Sequence, residues 1–138
     1  MARIMAVDYG AKRCGLAITD PMKIIASGLN TIPPQELISF IKNYHQKEPL
    51  EAIVFGIPYR MDGSLSPIAS EIKKAMDSIN QALPGIELHG IDESFTSAEA
   101  MQAMVQAGVP KKKRRNKELT DKVSATLILQ RFLHQQQI

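Results

Sequence analysis

Three acidic residues stand where carboxylates could act together on one reaction. Asp8 directly follows the apolar run Ile4–Val7, and Glu93 comes just after an alternating segment at 86–91. Asp121 lies near the start of the last predicted helix. Carboxylate oxygens are the ligands that Mg²⁺ and Mn²⁺ prefer, and a pair of such ions can promote hydrolysis of a phosphodiester. If the fold brings these acids together, they indicate a metal-dependent nuclease.

Asp121 lies on the side of its helix that should face the protein core. The intervals from Asp121 to Ala125, Ile128 and Phe132 are four, three and four residues, so these residues share one helical face. That face is otherwise apolar, and a lone carboxylate buried there would be costly. A metal ion shared with the other two acids would remove the cost.

Each acid also has an ordinary structural explanation. Asp8 could simply cap a hairpin turn, because Asp is common in turns. Glu93 and Asp121 could each interact only with the dipole of a nearby helix N-terminus, which is favourable by about 0.3–1 kcal/mol. What favours a shared site is that all three acids are expected at one edge of a sheet.

The segments that must position these acids alternate between strands and helices. Strands are predicted at Ile4–Val7, Cys14–Thr19, Ile24–Ile32, Ala52–Ile57 and Ile86–Ile91. Helices are predicted at 35–47, from an N-cap at Ser66 to 83, at 96–108, and from an N-cap at Asn116 to about 134. An opening meander followed by strand–helix alternation predicts a single α/β domain over residues 1–138, with helices packed on a mixed sheet. Asp8 and Glu93 meet at one edge if their strands run parallel.

Composition limits the class of protein. The chain has 138 residues, of which 44% are apolar, so a real core is expected. No apolar run approaches the roughly 20 residues that a membrane span needs, and we expect a cytoplasmic protein without membrane association. The single cysteine, Cys14, lies in an apolar run and is predicted to be a buried, unreactive thiol.

Positive charge is concentrated in one stretch, here named the basic segment. Its members are Lys111, Lys112, Lys113, Arg114, Arg115 and Lys117. They contribute +6 to a net charge of +3, so the rest of the chain sums to −3. This asymmetry indicates a polyanionic partner, namely nucleic acid. We expect a mobile loop that clamps a phosphate backbone; the alternative is a solvated loop without a ligand.

Four sequence elements, in order and over nearly the whole chain, resemble the YqgF family. This family is related to the RuvC-type Holliday junction resolvases within the RNase H-like superfamily. The elements are Asp8-Tyr9-Gly10 with Lys12, Gly15 and Ala17; Gly56-Ile57-Pro58 with Met61-Asp62-Gly63; Asp92-Glu93 with Thr96 and Glu99-Ala100; and Asp121 with Ser124-Ala125. Together they are far more specific than any one alone.

The resemblance implies an RNase H-like five-stranded mixed sheet, with an antiparallel meander of three strands and later strands parallel to the first. It implies that Asp8, Glu93 and Asp121 are catalytic and hold Mg²⁺ or Mn²⁺. It further implies a nuclease that matures the 5′ end of pre-16S rRNA, with ribosomal precursor particles as partners, or that resolves branched DNA. Structural roles are expected for Gly10, Gly15, Gly56, Pro58 and Gly63.

Two positions depart from the family pattern. Ser94 stands where the family usually has Arg, and Tyr59-Arg60 stands where Asn commonly precedes the Met-Asp-Gly turn. Losing an Arg beside the acids removes a phosphate contact, and Arg60 could restore it. We therefore expect Lys12 and Arg60 to bind nucleic acid together with the basic segment.

Three other functions fit part of the pattern. An ATPase of the actin or sugar-kinase type also opens with Asp-x-Gly, but it needs a second such domain. A non-catalytic nucleic-acid-binding module could keep the fold without the chemistry. A factor that works only with a partner on a ribosomal precursor is the third alternative.

Overall fold

A single mixed sheet of five strands forms the centre of this computed structural model, which describes residues 2–58, 64, 66–93 and 96–136. The strands are β1 (Arg3–Tyr9), β2 (Cys14–Thr19), β3 (Ala26–Ile32), β4 (Leu50–Ile57) and β5 (Glu87–Asp92). The helices are α1 (Leu37–Lys47), α2 (Ala69–Ala82), α3 (Thr96–Gln106), α4 (Lys111–Arg114) and α5 (Lys117–Gln136), and a 3₁₀ turn (Pro34–Glu36) precedes α1.

The strand order is β3-β2-β1-β4-β5. Strands β1, β2 and β3 form an antiparallel meander, while β4 runs parallel to β1 and β5 parallel to β4. The predicted α/β fold of the RNase H-like type is confirmed. Because β1, β4 and β5 point the same way, their carboxyl ends meet at one edge.

The two faces of the sheet are covered by different helices. Met5 and Val7 of β1 belong to a core that includes residues of α1 and α2. Ile4 and Ala6 belong to a second core, made largely with α5. Since side chains alternate along a strand, Asp8 continues the second set and lies on the α5 face.

Helix α5 is fixed at its start by Asn116 and along its length by apolar packing. The Asn116 Oδ1 accepts hydrogen bonds from the backbone N–H groups of Glu118 at 2.9 Å and Leu119 at 3.3 Å, so the predicted N-cap is confirmed. The residues predicted to share the inward face with Asp121 are buried: Ala125, Ile128 and Phe132. Within the described ranges, no helix is long and apolar enough to cross a membrane.

The third strand begins two residues later than predicted. Asp20 explains the difference, because its carboxylate accepts hydrogen bonds from the backbone N–H groups of Met22, Ile24 and Ile25 at 2.7–3.0 Å. These bonds close a turn and keep both isoleucines out of the ladder. The same hydrogen bonds hold the pKa of Asp20 below its ordinary value.

The predicted N-cap at Ser66 is wrong. Helix α2 begins at Ala69 without a side-chain cap, and the Ser66 hydroxyl has no hydrogen-bond partner among the residues that the structure describes. The Ser66 carbonyl oxygen instead accepts a hydrogen bond from the Ala69 N–H at 3.0 Å. Pro67 and Ile68 thus form a separate turn before the helix.

Candidate active site

Asp8 lies at the end of β1 that is nearest the carboxyl ends of β4 and β5. Its Cα pairs with that of Gly15 on β2, and its side chain lies on the face that α5 covers. This position is largely withdrawn from water. The strand therefore presents one partly buried carboxylate at the sheet edge, under the start of α5.

Gly15 allows α5 to approach this carboxylate. A Cβ atom at residue 15 would collide with the backbone carbonyl of Asp121 and would stand 3.0 Å from the Asp121 Cβ. Only glycine leaves room for the first turns of α5 to rest directly on β2. Because Gly15 is the strand partner of Asp8, this packing brings Asp121 beside Asp8.

Gly56 plays the same part for Glu93. A Cβ atom at residue 56 would stand 2.5 Å from the Glu93 Oε2 and 2.7 Å from the Ile128 Cδ1. The Glu93 side chain therefore lies over the end of β4, in the direction of β1. The backbone is held as well, because the Glu93 N–H donates to the Ile57 carbonyl oxygen at 3.2 Å.

Asp8 and Glu93 are joined by a side-chain hydrogen bond. Burial raises the pKa of Glu93 to about 9, and the neighbouring charge of Asp8 and the hydrogen bond between them act in the same direction. Burial also raises the pKa of Asp8, against the hydrogen bond from Glu93, and the charge of Asp121 adds to the increase. At neutral pH the pair of Asp8 and Glu93 therefore holds a proton.

Asp121 has a cationic partner, Arg13, that was not predicted from the sequence. The Arg13 Nε donates to the Asp121 Oδ2 at 2.8 Å, across 108 residues of sequence. A usable signal was present, because Arg13 lies two residues before Gly15 and so faces the same side of the sheet. Without the close approach of α5 to Gly15, however, nothing in the sequence pairs Arg13 with Asp121.

The three predicted acids thus converge around Asp8. Within the described ranges, no group of three Asp, Glu, His or Cys side chains is arranged to hold a metal ion as it stands. Asp8 nevertheless interacts with both other acids, through the hydrogen bond from Glu93 and the charge of Asp121. The donors are all carboxylate oxygens, which suit a hard divalent cation. Such a cation would also favour the charged forms of Asp8 and Glu93, which burial and the neighbouring negative charges disfavour.

The predicted nucleic-acid-binding residues that the structure describes differ in their surroundings. Lys12 is exposed in the turn between β1 and β2. The basic segment leads into α5, and all of its side chains are exposed except that of Arg114, which is half-buried. The predicted loop is wrong in part, because Lys111–Arg114 form the single-turn helix α4, in which the Arg114 N–H donates to the Pro110 carbonyl oxygen at 3.0 Å. Arg60 lies outside the described residues.

Gly10 and Pro58, for which structural roles are expected, lie in tight turns or at strand ends. A Cβ atom at Gly10 would stand 2.6 Å from the Arg13 carbonyl oxygen, which accounts for glycine in this tight turn. Pro58 follows β4, and its carbonyl oxygen accepts a hydrogen bond from the Ser66 N–H at 3.2 Å. Gly63 and Ser94 fall outside the described residues.

Cys14 is fully buried, as predicted. Burial raises the pKa of its thiol to about 11, so the thiolate that a nucleophile requires is disfavoured at neutral pH.

Comparison with known proteins gives the family. The model of the family described as "RuvX: Holliday junction resolvase" matches residues 2–135. A Bacteroides fragilis protein named "Putative pre-16S rRNA nuclease" is 45% identical over 133 residues, which are 96% of each chain. A Flavobacterium johnsoniae protein of the same name is 47% identical over the same shares of both chains.

A solved structure gives the fold independently. T. thermophilus RuvC in complex with a Holliday junction substrate has a TM-score of 0.63 to this chain at 11% identity, over 99% of this chain and 96% of that one. At such low identity the likeness concerns the fold alone. The family match and the close relatives both span nearly the full length, so the chain belongs to the RuvX family and is a nuclease with an RNase H-like fold.

Proposed function

We propose that this nuclease hydrolyses phosphodiester bonds with Mg²⁺ or Mn²⁺ held by Asp8, Glu93 and Asp121. The observation that carries the proposal is the hydrogen-bonded pair of Asp8 and Glu93 beside Asp121, at the edge where three parallel strands end. Carboxyl groups in such contact are unfavourable unless a proton or a cation lies between them. A surface that binds a polyanion gains nothing from clustered acids by themselves, which favours catalysis over simple binding.

The three acids of the proposed site differ in their protonation and in their partners. Burial raises the pKa of Glu93 to about 9, so this group carries a proton at neutral pH, and a hydrogen bond joins it to Asp8. Asp121 forms an ion pair with the guanidinium of Arg13. When bound, divalent ions would supply an activated water and stabilise the leaving oxygen. The buried floor formed by Gly15 and Gly56 keeps the three acids at fixed positions for this work.

The substrate we propose is structured RNA, with the 5′ end of pre-16S rRNA on a ribosomal precursor particle as the physiological case. The names of the close relatives support RNA, whereas the description of the family supports branched DNA as the second candidate. The basic segment favours either polyanion, since it lies directly before the helix that carries Asp121. Lys12 and Arg60 would add further phosphate contacts. We therefore propose that the nuclease acts on this precursor in the cytoplasm.

A cleavage assay with paired substrates tests this proposal. Labelled RNA spanning the 5′ end of 16S rRNA and a four-way DNA junction are incubated with Mn²⁺, with Mg²⁺ or with EDTA. We expect metal-dependent cleavage of the RNA that is lost in Asp8→Asn and in Asp121→Asn. Cleavage of the junction alone would make DNA the substrate. Cleavage that survives in EDTA, or in either variant, would contradict the proposed site.

A further inference from the structure

Arg13 forms a hydrogen bond with Asp121, one of the carboxylates that we propose bind a metal ion. Its Nε lies 2.8 Å from the Asp121 Oδ2, and the side chains are 35% and 23% exposed. A charge-assisted bond of this length is stronger than a hydrogen bond between neutral groups, although water still screens the partly exposed Arg13. Metal binding at Asp121 must therefore compete with an existing interaction.

The chain positions this guanidinium by tight local packing. The carbonyl oxygen of Arg13 packs tightly against Gly10 in the turn after β1. Strand β2 begins at the next residue, Cys14. Asp121 is pressed onto Gly15 from the other side. The backbones of Arg13 and Asp121 are therefore both held by tight packing near the start of β2, on the same side of the sheet, where their side chains meet.

Charge balance indicates what the contact does. In the metal-free protein the guanidinium of Arg13 lies against Asp121, whose backbone packs on Gly15, the strand partner of Asp8. A divalent ion bound by both Asp8 and Asp121 would have to take the place of this guanidinium.

We propose that Arg13 is a built-in counter-ion that holds Asp121 in place until a divalent metal ion displaces it. This inference rests on the proposed metal site. It makes Arg13 a positioning residue that lowers metal affinity while keeping the site assembled. Once displaced, the guanidinium has unused N–H donors in a planar fork, the geometry that binds a phosphate of the nucleic acid.

Two opposed effects follow for a variant that removes the charge. Arg13→Gln should bind Mn²⁺ more tightly, by about threefold to tenfold, because the metal no longer competes with a charge-assisted hydrogen bond. The same variant should cleave more slowly at saturating metal, because the phosphate contact is lost. A merely structural role would weaken metal binding and cleavage together.

Calorimetric titration of the full-length protein with Mn²⁺, without nucleic acid, separates these possibilities. The proteins compared are wild type, Arg13→Gln, Arg13→Lys and Asp121→Asn, with Lys73→Gln as a control for the loss of one exposed positive charge. We expect the tightest binding in Arg13→Gln, unchanged binding in Lys73→Gln and the weakest in Asp121→Asn. Arg13→Lys keeps the charge without the fork and should lie between wild type and Arg13→Gln, which preserves the test if the glutamine variant does not fold.

The outcomes distinguish this inference from the function on which it rests. If wild type binds Mn²⁺ through Asp121 and neither Arg13 variant binds more tightly, the counter-ion role is wrong and the metal site stands. If neither wild type nor Arg13→Gln binds Mn²⁺, the metal site itself is wrong, and the inference is overturned with it.

Discussion

Two glycines decide whether the acids of the site can meet. Gly15 admits the backbone of Asp121 onto β2, and Gly56 admits the side chain of Glu93 over β4. In both cases the space that a methyl group would fill is occupied by an acid of the site. The proposed active site therefore depends on the absence of a side chain at two positions as much as on the acids themselves.

Gly56→Ala should displace Glu93 and greatly reduce cleavage, with a loss of stability of about 1–3 kcal/mol from overpacking. Gly85→Ala is the matched control, because a Cβ atom at residue 85 would meet nothing within 4 Å. Metal-dependent cleavage and thermal unfolding are measured for both variants. Full activity in Gly56→Ala would show that the position of Glu93 over β4 is unimportant.

The raised pKa of Glu93 has a consequence for stability that can be measured. The folded protein holds this proton up to a pH of about 9, whereas the carboxyl of the unfolded chain has an ordinary value of 4.5. The folded state thus binds more protons across this window, so the group destabilises the protein increasingly as pH rises through it.

We therefore expect Glu93→Gln to raise the unfolding temperature of the metal-free protein above that of wild type by a few degrees at pH 8.5. The difference should shrink toward pH 5. Asp77→Asn, at an exposed position on α2, serves as the control and should show no such trend. A wild-type advantage that grows with pH would reverse the assigned direction of the Glu93 pKa shift.

At the level of elements, α5 connects the site to the proposed substrate contact. Its first turns carry Asp121, its N-cap is Asn116, and the basic segment surrounds that cap in sequence. Four residues of the segment form the short helix α4, so its cations are carried on structured backbone that continues into α5. This arrangement favours an ordered phosphate contact over a loose arm.

Replacing Lys111, Lys112 and Lys113 with Gln should flatten the dependence of nucleic-acid affinity on salt. The slope of log affinity against log salt should fall by about 0.7–0.9 for each phosphate contact removed. The charge-matched control replaces Lys42, Lys73 and Lys74, which are exposed on α1 and α2, across the sheet from α5. Equal slopes in the two triple variants would mean that the basic segment only adds net charge.

At the level of the whole molecule, the strands and helices could be predicted from the sequence pattern, and the strand directions from the resemblance to a known family. Apolar runs ending at Asp8 and near Glu93 gave the strands, and the stripe from Asp121 to Phe132 gave the inward face of α5. These predictions succeeded because burial sets the periodicity of strands and helices, and parallel strands bring their ends to one edge.

The features that escaped prediction depend on contacts made after folding. The bond from Arg13 to Asp121 spans 108 residues and needs the packing of α5 on Gly15. The turn at Asp20 shortens β3 through side-chain hydrogen bonds that compete with the ladder. Serine often caps helices, yet in Ser66 it is the backbone carbonyl oxygen that accepts a hydrogen bond, in the turn before α2.

The most direct test of the central claim is a crystal structure of the protein with Mn²⁺, in which anomalous scattering locates the ions. We expect anomalous density bound by oxygens of Asp8, Glu93 and Asp121, with Arg13 turned away from Asp121. Density confined to other residues, while the same crystals leave these three carboxyl groups without metal at saturating Mn²⁺, would contradict the proposed active site.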